Sequence, residues 1–397
     1  MEKKKIFSRT VIFLSLVSLF NDISSEMLLP ILPAYLSTIG FTALWIGVLE
    51  GLAEAASGLS KAYFGKLSDG LRLRTPFVRW GYAMSAVSKS MLALFTYPWW
   101  IFLARTMDRL GKGVRTGARD ALLADESEPA HRGKIFGLNR AMDTIGATVG
   151  ALIALLYLLY FPADYKNLFL VAFIPALAAV VITFTIRDKK KGPVEKKPVR
   201  GAFSFFGYWN KSSPEYRKLV AGFLLFAVFN SSDAFIFLIG KHCGLSDTAV
   251  LGAYIFYNLS FALLALPFGY IGDRKGMKFS YLSGIVFFCA AYFIFPYSSS
   301  AGIYFAGFFV YAFFAAATDG ISKAWISKHC EVKEKATALG FYSGAQSIVI
   351  LISNLLAGLL WTATSPATLF KVSVGGALAT LLYFYFYSPV EKAGSST

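Results

Sequence analysis

Apolar runs of roughly 20 residues or more, long enough to cross a bilayer as a helix, recur twelve times along this chain and are separated by short polar connections. They lie near 10–37, 42–64, 76–97, 99–124, 133–160, 165–187, 217–240, 247–272, 277–297, 301–328, 336–361 and 366–388. One run breaks the apolar pattern. Between Trp99 and Ala124 it carries Arg105, Asp108, Arg109, Lys112, Arg115 and Arg119. At about 100° per residue these six fall within an arc of about 120° on one side of a helix. A charge at the bilayer centre costs on the order of 2.5–3.5 kcal/mol even on a mild insertion scale. The stripe therefore has to face a water-filled cavity, opposing charges, or both. The pattern predicts an all-α membrane protein built around a polar path.

Composition sharpens this picture. Of 397 residues, 56% are hydrophobic and only 16% are charged, against about 25% charged in soluble domains. The formal net charge of +16 could suggest nucleic acid, but the bases sit between the apolar runs. Lys3, Lys4, Lys5 and Arg9, then Lys66, Arg72 and Arg74, then His131, Arg132 and Lys134 fall on one set of connections. The stretch 187–217, Arg274, Lys275 and Lys278, and Lys333 and Lys335 continue that set. The other set holds little beyond Lys166 and Lys241. The positive-inside bias then places both termini in the cytoplasm, and two termini on one side require an even span count, in agreement with twelve. No nucleic-acid partner is expected. Met1–Lys5 leads into a long apolar segment without a small-residue cleavage site, so it reads as the start of a first span rather than a removable leader. Cys243, Cys289 and Cys330 lack metal-ligand spacing and read as small buried hydrophobes.

The Lys-, Pro- and Ser-rich stretch after Asp188 divides the chain into a six-helix bundle over 1–188, a cytoplasmic linker over 189–216 and a second six-helix bundle over 217–397. The linker's Phe203, Phe205, Phe206, Tyr208 and Trp209 suit either an interfacial segment or a partly ordered tether. The two sets of six echo each other. Phe20-Asn21-Asp22 answers Phe229-Asn230, with Asp233 following; Asp108 and Lys112 answer Asp319 and Lys323; Gly65 to Asp69 answers Gly269 to Asp273. Three collinear matches at an offset of roughly 204–211 residues argue for an internal repeat. Parallel repeats of this kind set a binding site at the midplane between the halves.

Gly269-Tyr-Ile-Gly-Asp273-Arg274-Lys275-Gly276-Met277-Lys278 resembles the cytoplasmic signature of the major facilitator superfamily of twelve-span secondary transporters, and the resemblance extends over the whole chain. The first-half copy, Gly65 to Arg74, departs from it, with Gly70 where Arg is usual and Arg72 where Gly is usual. The resemblance implies two six-helix bundles related by a pseudo-two-fold axis. It also implies a conformational latch from Asp69, Arg72, Arg74, Asp273, Arg274 and Lys278. Gly146-x-x-x-Gly150 is similar to the family's antiporter signature without its proline, and reads better as close helix packing.

In that family the first, fourth, seventh and tenth spans line the cavity, and these are the spans where the aligned charges concentrate. The candidate substrate- and proton-binding residues are Asp22, Glu26, Glu54, Asp108, Arg109, Lys112, Asp143, Asp233, Asp319 and Lys323. Lys61, Arg115, Arg119 and Arg140, near the cytoplasmic span ends, and Lys89 read as structural, either as buried ion pairs that fix helix register or as snorkelling bases. A carboxylate beside a base in a poorly hydrated cavity can exchange a proton as its surroundings change; Asp22 or Glu26, near Arg109 or Lys112, is the expected switch.

The reading is a proton-coupled carrier, working by alternating access, for a small polar, zwitterionic or anionic organic solute. Its expected partners are that solute, protons and the bilayer, with a monomer in the inner membrane. The aromatic second half leaves multidrug or amphiphile efflux as an alternative, and Asn21, Asp22 and Glu26 leave a metal-ion carrier as a weaker one. No enzyme signature, bound metal or cofactor is expected: the chain lacks a Walker A segment, a His/Cys cluster and a Gly-x-Ser-x-Gly motif.

Overall fold

The computed structural model of the chain describes residues 8–71, 73–126, 132–188, 207–331 and 334–387. Among them there is no strand. The helices are α1 (Arg9–Glu26), α2 (Leu32–Thr38), α3 (Ala43–Leu71), α4 (Thr75–Leu94), α5 (Pro98–Asp125), α6 (Arg132–Tyr160) and α7 (Tyr165–Thr183). After the linker come α8 (Tyr208–Lys211), α9 (Pro214–Phe229), α10 (Ala234–His242), α11 (Asp247–Lys275), α12 (Met277–Ile294), α13 (Ala301–Thr318), α14 (Ile321–Lys328), α15 (Lys335–Ala363) and α16 (Pro366–Tyr387).

Among the described residues, eight spans are apolar and long enough to cross a membrane. The remaining four are α1–α2, α3, α4 and α5, whose charged and small polar residues dilute their hydropathy. They are the helices that hold most of the candidate site.

Three predicted spans are interrupted rather than continuous, each for a local reason. In the first, α1 ends at Glu26, four residues before Pro30. A proline there cannot donate to the Glu26 carbonyl and its ring would clash with it; Pro33 then opens α2. In the seventh, the polar run Asn230-Ser231-Ser232-Asp233 separates α9 from α10, because short polar side chains compete with the helical ladder for backbone groups. In the tenth, Asp319 is extended and Gly320 adopts a left-handed φ of 77°, which favours glycine.

The chain divides into two compact units, one of residues 1–41 and 52–203 and the other of residues 42–51 and 204–397. Within the first, α4 packs on α5 and α7, and α1 on α6 and α7; within the second, α12 packs on α13 and α16, and α9 on α15 and α16. These are the same partners at the same positions in each set of six, as an internal repeat requires. Gly146 and Gly150 bring α6 against α1. A Cβ on Gly146 would lie 2.6 Å from the Leu19 carbonyl oxygen, and one on Gly150 would collide with the Ile23 carbonyl. The motif here is helix packing. The N-terminal turns of α3 group with the second unit, where the Leu44 amide donates to Thr362 Oγ1 at 3.2 Å.

The first unit's core is aliphatic, with Val11, Leu14 and Val17 of α1 against Val78, Ala118 and Ile186. The second unit's is aromatic. Phe226, Phe235, Phe237, Tyr254, Tyr311, Phe314 and Trp325 are buried among helices, and Phe288 stacks on Tyr292 at 3.9 Å between centroids. Residues 189–206 of the predicted linker lie outside the described residues. In its described part Tyr208 is buried against Tyr216, and Trp209 stacks on Phe341.

Candidate functional site

A cavity of about 100 Å³ opens within the first unit, walled by α1, the turn after it, α2, α4 and α5. Its acids are Asp22, Glu26 and Asp108; its bases are Lys89, Arg105, Arg109, Lys112 and Arg115. Five of the six residues in the sequence's charged stripe take part in this cavity, and Arg119 does not.

The stripe divides into two kinds of group. Asp108 is enclosed by bases: Lys89 Nζ lies 3.4 Å from its Oδ1 and Arg105 Nη1 lies 3.7 Å from its Oδ2. Lys89 also donates to the Ser85 carbonyl at 3.1 Å. Arg115 donates to Ser85 Oγ at 2.7 Å and covers the Tyr82 ring at 4.6 Å, while Ser85 Oγ donates to the Asp108 carbonyl. This knot ties α4 to α5 and satisfies each charge with an opposite charge or a hydrogen bond. Lys89, read from sequence as structural, is therefore both structural and part of the cavity wall. Arg115, read as structural, is buried within it.

Arg109 and Lys112 are placed differently. Arg109 Nη1 meets Glu54 Oε1 of α3 at 3.3 Å, with the Arg109 side chain 11% exposed and that of Glu54 35% exposed. Lys112, one turn further along α5, is exposed. Across the cavity, Asn21 Nδ2 donates to Asp22 Oδ1 at 3.1 Å.

Asp143 belongs elsewhere. It accepts from Asn139 Nδ2 at 3.3 Å; Asn139 Oδ1 accepts from Ser18, and Ser18 Oγ accepts from Arg119. This relay links α5, α1 and α6. In the second unit, Asp233 sits at the interruption of the seventh span and accepts from Tyr311 Oη at 2.7 Å. Asp319 and Lys323 are exposed beside the interruption of the tenth. The cavity thus gathers Asp22, Glu26, Asp108, Arg109 and Lys112, with Glu54 joined through Arg109.

Of the predicted latch, Arg72 and the side chains of Asp69 and Asp273 lie outside the described groups. Arg74 donates to Ser68 Oγ at 2.7 Å, and Arg274 covers the Tyr270 ring at 4.5 Å. The sequence reading passed over Asp188, whose carboxylate accepts from the Arg74 and Thr75 amides at the start of α4. Ser88 and Lys89, one turn of α4 from Ser85, also line the cavity, a polar face at helical spacing that the sequence reading did not connect to it.

The profile of the Major Facilitator Superfamily matches residues 14–264 and 239–397. The chain belongs to this superfamily. It is similar to an uncharacterized MFS-type transporter, MJ1317, of Methanocaldococcus jannaschii, with 29% identity over 97% of this chain and 96% of that protein. It is also similar to the multidrug resistance protein MdtH of Photorhabdus laumondii, 29% identical over 30% of this chain and 29% of that one. Among solved structures, that of the nucleoside transporter NupG superposes with a TM-score of 0.76 at 15% identity, covering 96% of this chain and 99% of that chain. The chain is thus a multi-pass membrane protein of a transporter family with the all-α facilitator fold.

Proposed function

We propose that this chain is a proton-coupled carrier of a small organic solute bearing a carboxylate or phosphate group. The observation that carries the reading is the position of Arg109. It lines a cavity whose bases outnumber its acids five to three, and its guanidinium is engaged at 3.3 Å by Glu54.

A guanidinium presents a rigid fork matched to one carboxylate or phosphate at a time. An incoming anionic group at Arg109 competes with Glu54, and the displaced Glu54 is stabilised by taking up a proton. Solute and proton are then bound together and released together. Each proton entering down a 100 mV potential contributes about 2.3 kcal/mol to the cycle. Lys112 supplies a second positive charge for the solute. Asp108 has a different role, since Lys89 and Arg105 hold it as a fixed anion that keeps the arginine-rich face of α5 in place.

Site size agrees with a polar head group. About 100 Å³ is well below the roughly 300–1,000 Å³ of pockets for drug-sized ligands. Most of the aromatics that would favour amphiphile efflux, Phe226, Phe235, Phe237, Tyr254, Tyr311, Phe314 and Trp325, are buried in packing within the second unit. Asp22 and Glu26 complete the wall and suit a cationic part of a zwitterion. Alternating access in the cytoplasmic membrane, with both termini inside, completes the reading.

The test begins with a thermal-shift panel of carboxylates, phosphates, zwitterions and lipophilic cations on the purified protein. The most stabilising compound is then added to proteoliposomes holding an entrapped pH indicator. Proton movement that starts on adding an anionic or zwitterionic solute supports the reading. Stabilisation by lipophilic cations alone, or solute movement without protons, overturns it.

A further inference from the structure

The cavity beside Arg109 is not polar throughout. Leu28, Leu29, Leu32 and Leu92 line it together with the charged groups, and their places in the chain gather them at one end. Leu28 and Leu29 lie on the turn after α1 and Leu32 opens α2, so all three follow Asp22 and Glu26 along the first span. Leu92 follows Lys89 by about one turn on α4. α5 runs antiparallel to both. Ser8 and Ser18 of α1 meet Glu126 and Arg119 respectively; Ser85 and Met91 of α4 meet Asp108 and Trp100. The leucines therefore stand toward the start of α5, and Arg109 and Lys112 lie further along it, toward Asp22.

The two bases on the leucine side turn toward the polar end. Lys89 and Arg105 both reach Asp108, at 3.4 and 3.7 Å, and Lys89 also donates to the Ser85 carbonyl one turn back. Leu28, Leu32 and Leu92 are buried and Leu29 is half-buried. Apolar side chains that border a cavity lack dispersion contacts on that side, and a solute's methylenes gain by leaving water for such a surface. A hydroxyl or second carboxylate set among the leucines would give up its water for no hydrogen bond. Size limits the tail as well. An engineered cavity of about 150 Å³ holds benzene, whereas head and tail here share about 100 Å³. That leaves room for a short aliphatic chain and not for a ring.

We propose that the solute lies lengthwise in this cavity, with its anionic head at Arg109 and Lys112 and a short aliphatic tail among Leu28, Leu29, Leu32 and Leu92. The inference rests on the reading of Arg109 as the anion site and narrows it. The substrate class becomes short-chain aliphatic carboxylates, with or without a 2-amino group for Asp22 and Glu26 to hold. Dicarboxylates, sugar phosphates and aromatic acids are disfavoured, because each would place a polar group or a ring against the leucines.

The experiment takes affinities from the concentration dependence of the unfolding midpoint of the purified full-length protein. The probes are acetate, propanoate, butanoate and pentanoate, their 2-amino counterparts from glycine to norvaline, and glutarate. Affinity is expected to rise about fourfold per added methylene in at least one series, the factor equivalent to roughly 0.8 kcal/mol of transfer. Glutarate is expected to bind more weakly than pentanoate. Leu29→Ser is expected to lower the ratio of pentanoate to acetate affinity several-fold, and Arg109→Gln to weaken the whole series. The wild-type series decides the matter whether or not the variants fold. Binding that ignores chain length, or glutarate binding more tightly than pentanoate, overturns the inference and leaves the anion site standing. If none of these acids binds, the inference falls, and the same assay with inorganic phosphate shows whether the anion site falls with it.

Discussion

Glu54 of α3 and Arg109 of α5 oppose each other at 3.3 Å, with the carboxylate about one-third exposed and the guanidinium largely buried. The base is therefore held in place while the acid can reach solvent. Glu54→Gln keeps the shape and removes the charge that competes for Arg109. Solute uptake driven by a pH gradient is expected to fall by at least roughly tenfold, while exchange of labelled for unlabelled solute across the same proteoliposomes persists. Arg109→Lys keeps the charge but loses the fork, and both modes of transport are expected to drop. Gradient-driven uptake that survives in Glu54→Gln would remove Glu54 from the coupling step.

Lys89 and Asp108 should behave as a structural pair. Lys89 Nζ lies 3.4 Å from Asp108 Oδ1, with side-chain exposures of 3% and 19%. Removing one partner strands a buried charge, at a cost of about 3–5 kcal/mol. Lys89→Met is expected to lower the unfolding midpoint in detergent sharply. The double variant Lys89→Met with Asp108→Asn should lose less than the sum of the two single changes, because neither charge is then left alone. Strict additivity would show that the pair contributes nothing as a pair.

How much of this was visible in the chain varies with the kind of signal. The apolar runs and the arc of charge on α5 are periodic properties of one helix, and both are present in the structure. The interruptions were missed because hydropathy does not register backbone hydrogen bonding. Pro30 alone was enough to end α1 at Glu26, and Asn230 to Asp233 offered four consecutive short polar side chains. The Glu54–Arg109 contact could not be read, since it depends on how α3 and α5 are rotated about their own axes. Lys89 was read as structural, in keeping with its pairing with Asp108; its place in the cavity wall could not be read, since that depends on how α4 is rotated toward α5.

Asp188 closes the start of α4. Its carboxylate accepts from the Arg74 and Thr75 amides at 3.1 Å, two of the groups a helix leaves unbonded at its N-terminus. Nearby, Arg79 Nη2 donates to the Ile186 carbonyl at 3.0 Å, so the end of α7 is fastened to α4 by complementary groups. Asp188→Ala is expected to destabilise the protein by about 0.5–2 kcal/mol. Asp188→Asn, which keeps an acceptor oxygen, should recover most of that loss. A thermal melt of the three proteins decides this, and equal midpoints for Asp188→Ala and wild type would show the cap to be inert.

The proposed orientation makes opposite demands on two cysteines. Cys243 follows α10 on a connection expected outside, and Cys330 follows α14 on one expected in the cytoplasm. Burial raises the thiol of each above its ordinary value; at Cys330 Lys335 opposes the shift and Glu334 adds to it. Because the thiolate is the reacting form, labelling should be slow at neutral pH. It should quicken as pH rises, by about tenfold per unit while the thiol form predominates. With single-cysteine variants in intact cells at mildly alkaline pH, a membrane-impermeant maleimide is expected to label Cys243. Cys330 should be labelled only after permeabilisation. Labelling of Cys330 in sealed cells while Cys243 stays protected would invert the topology and place both termini outside.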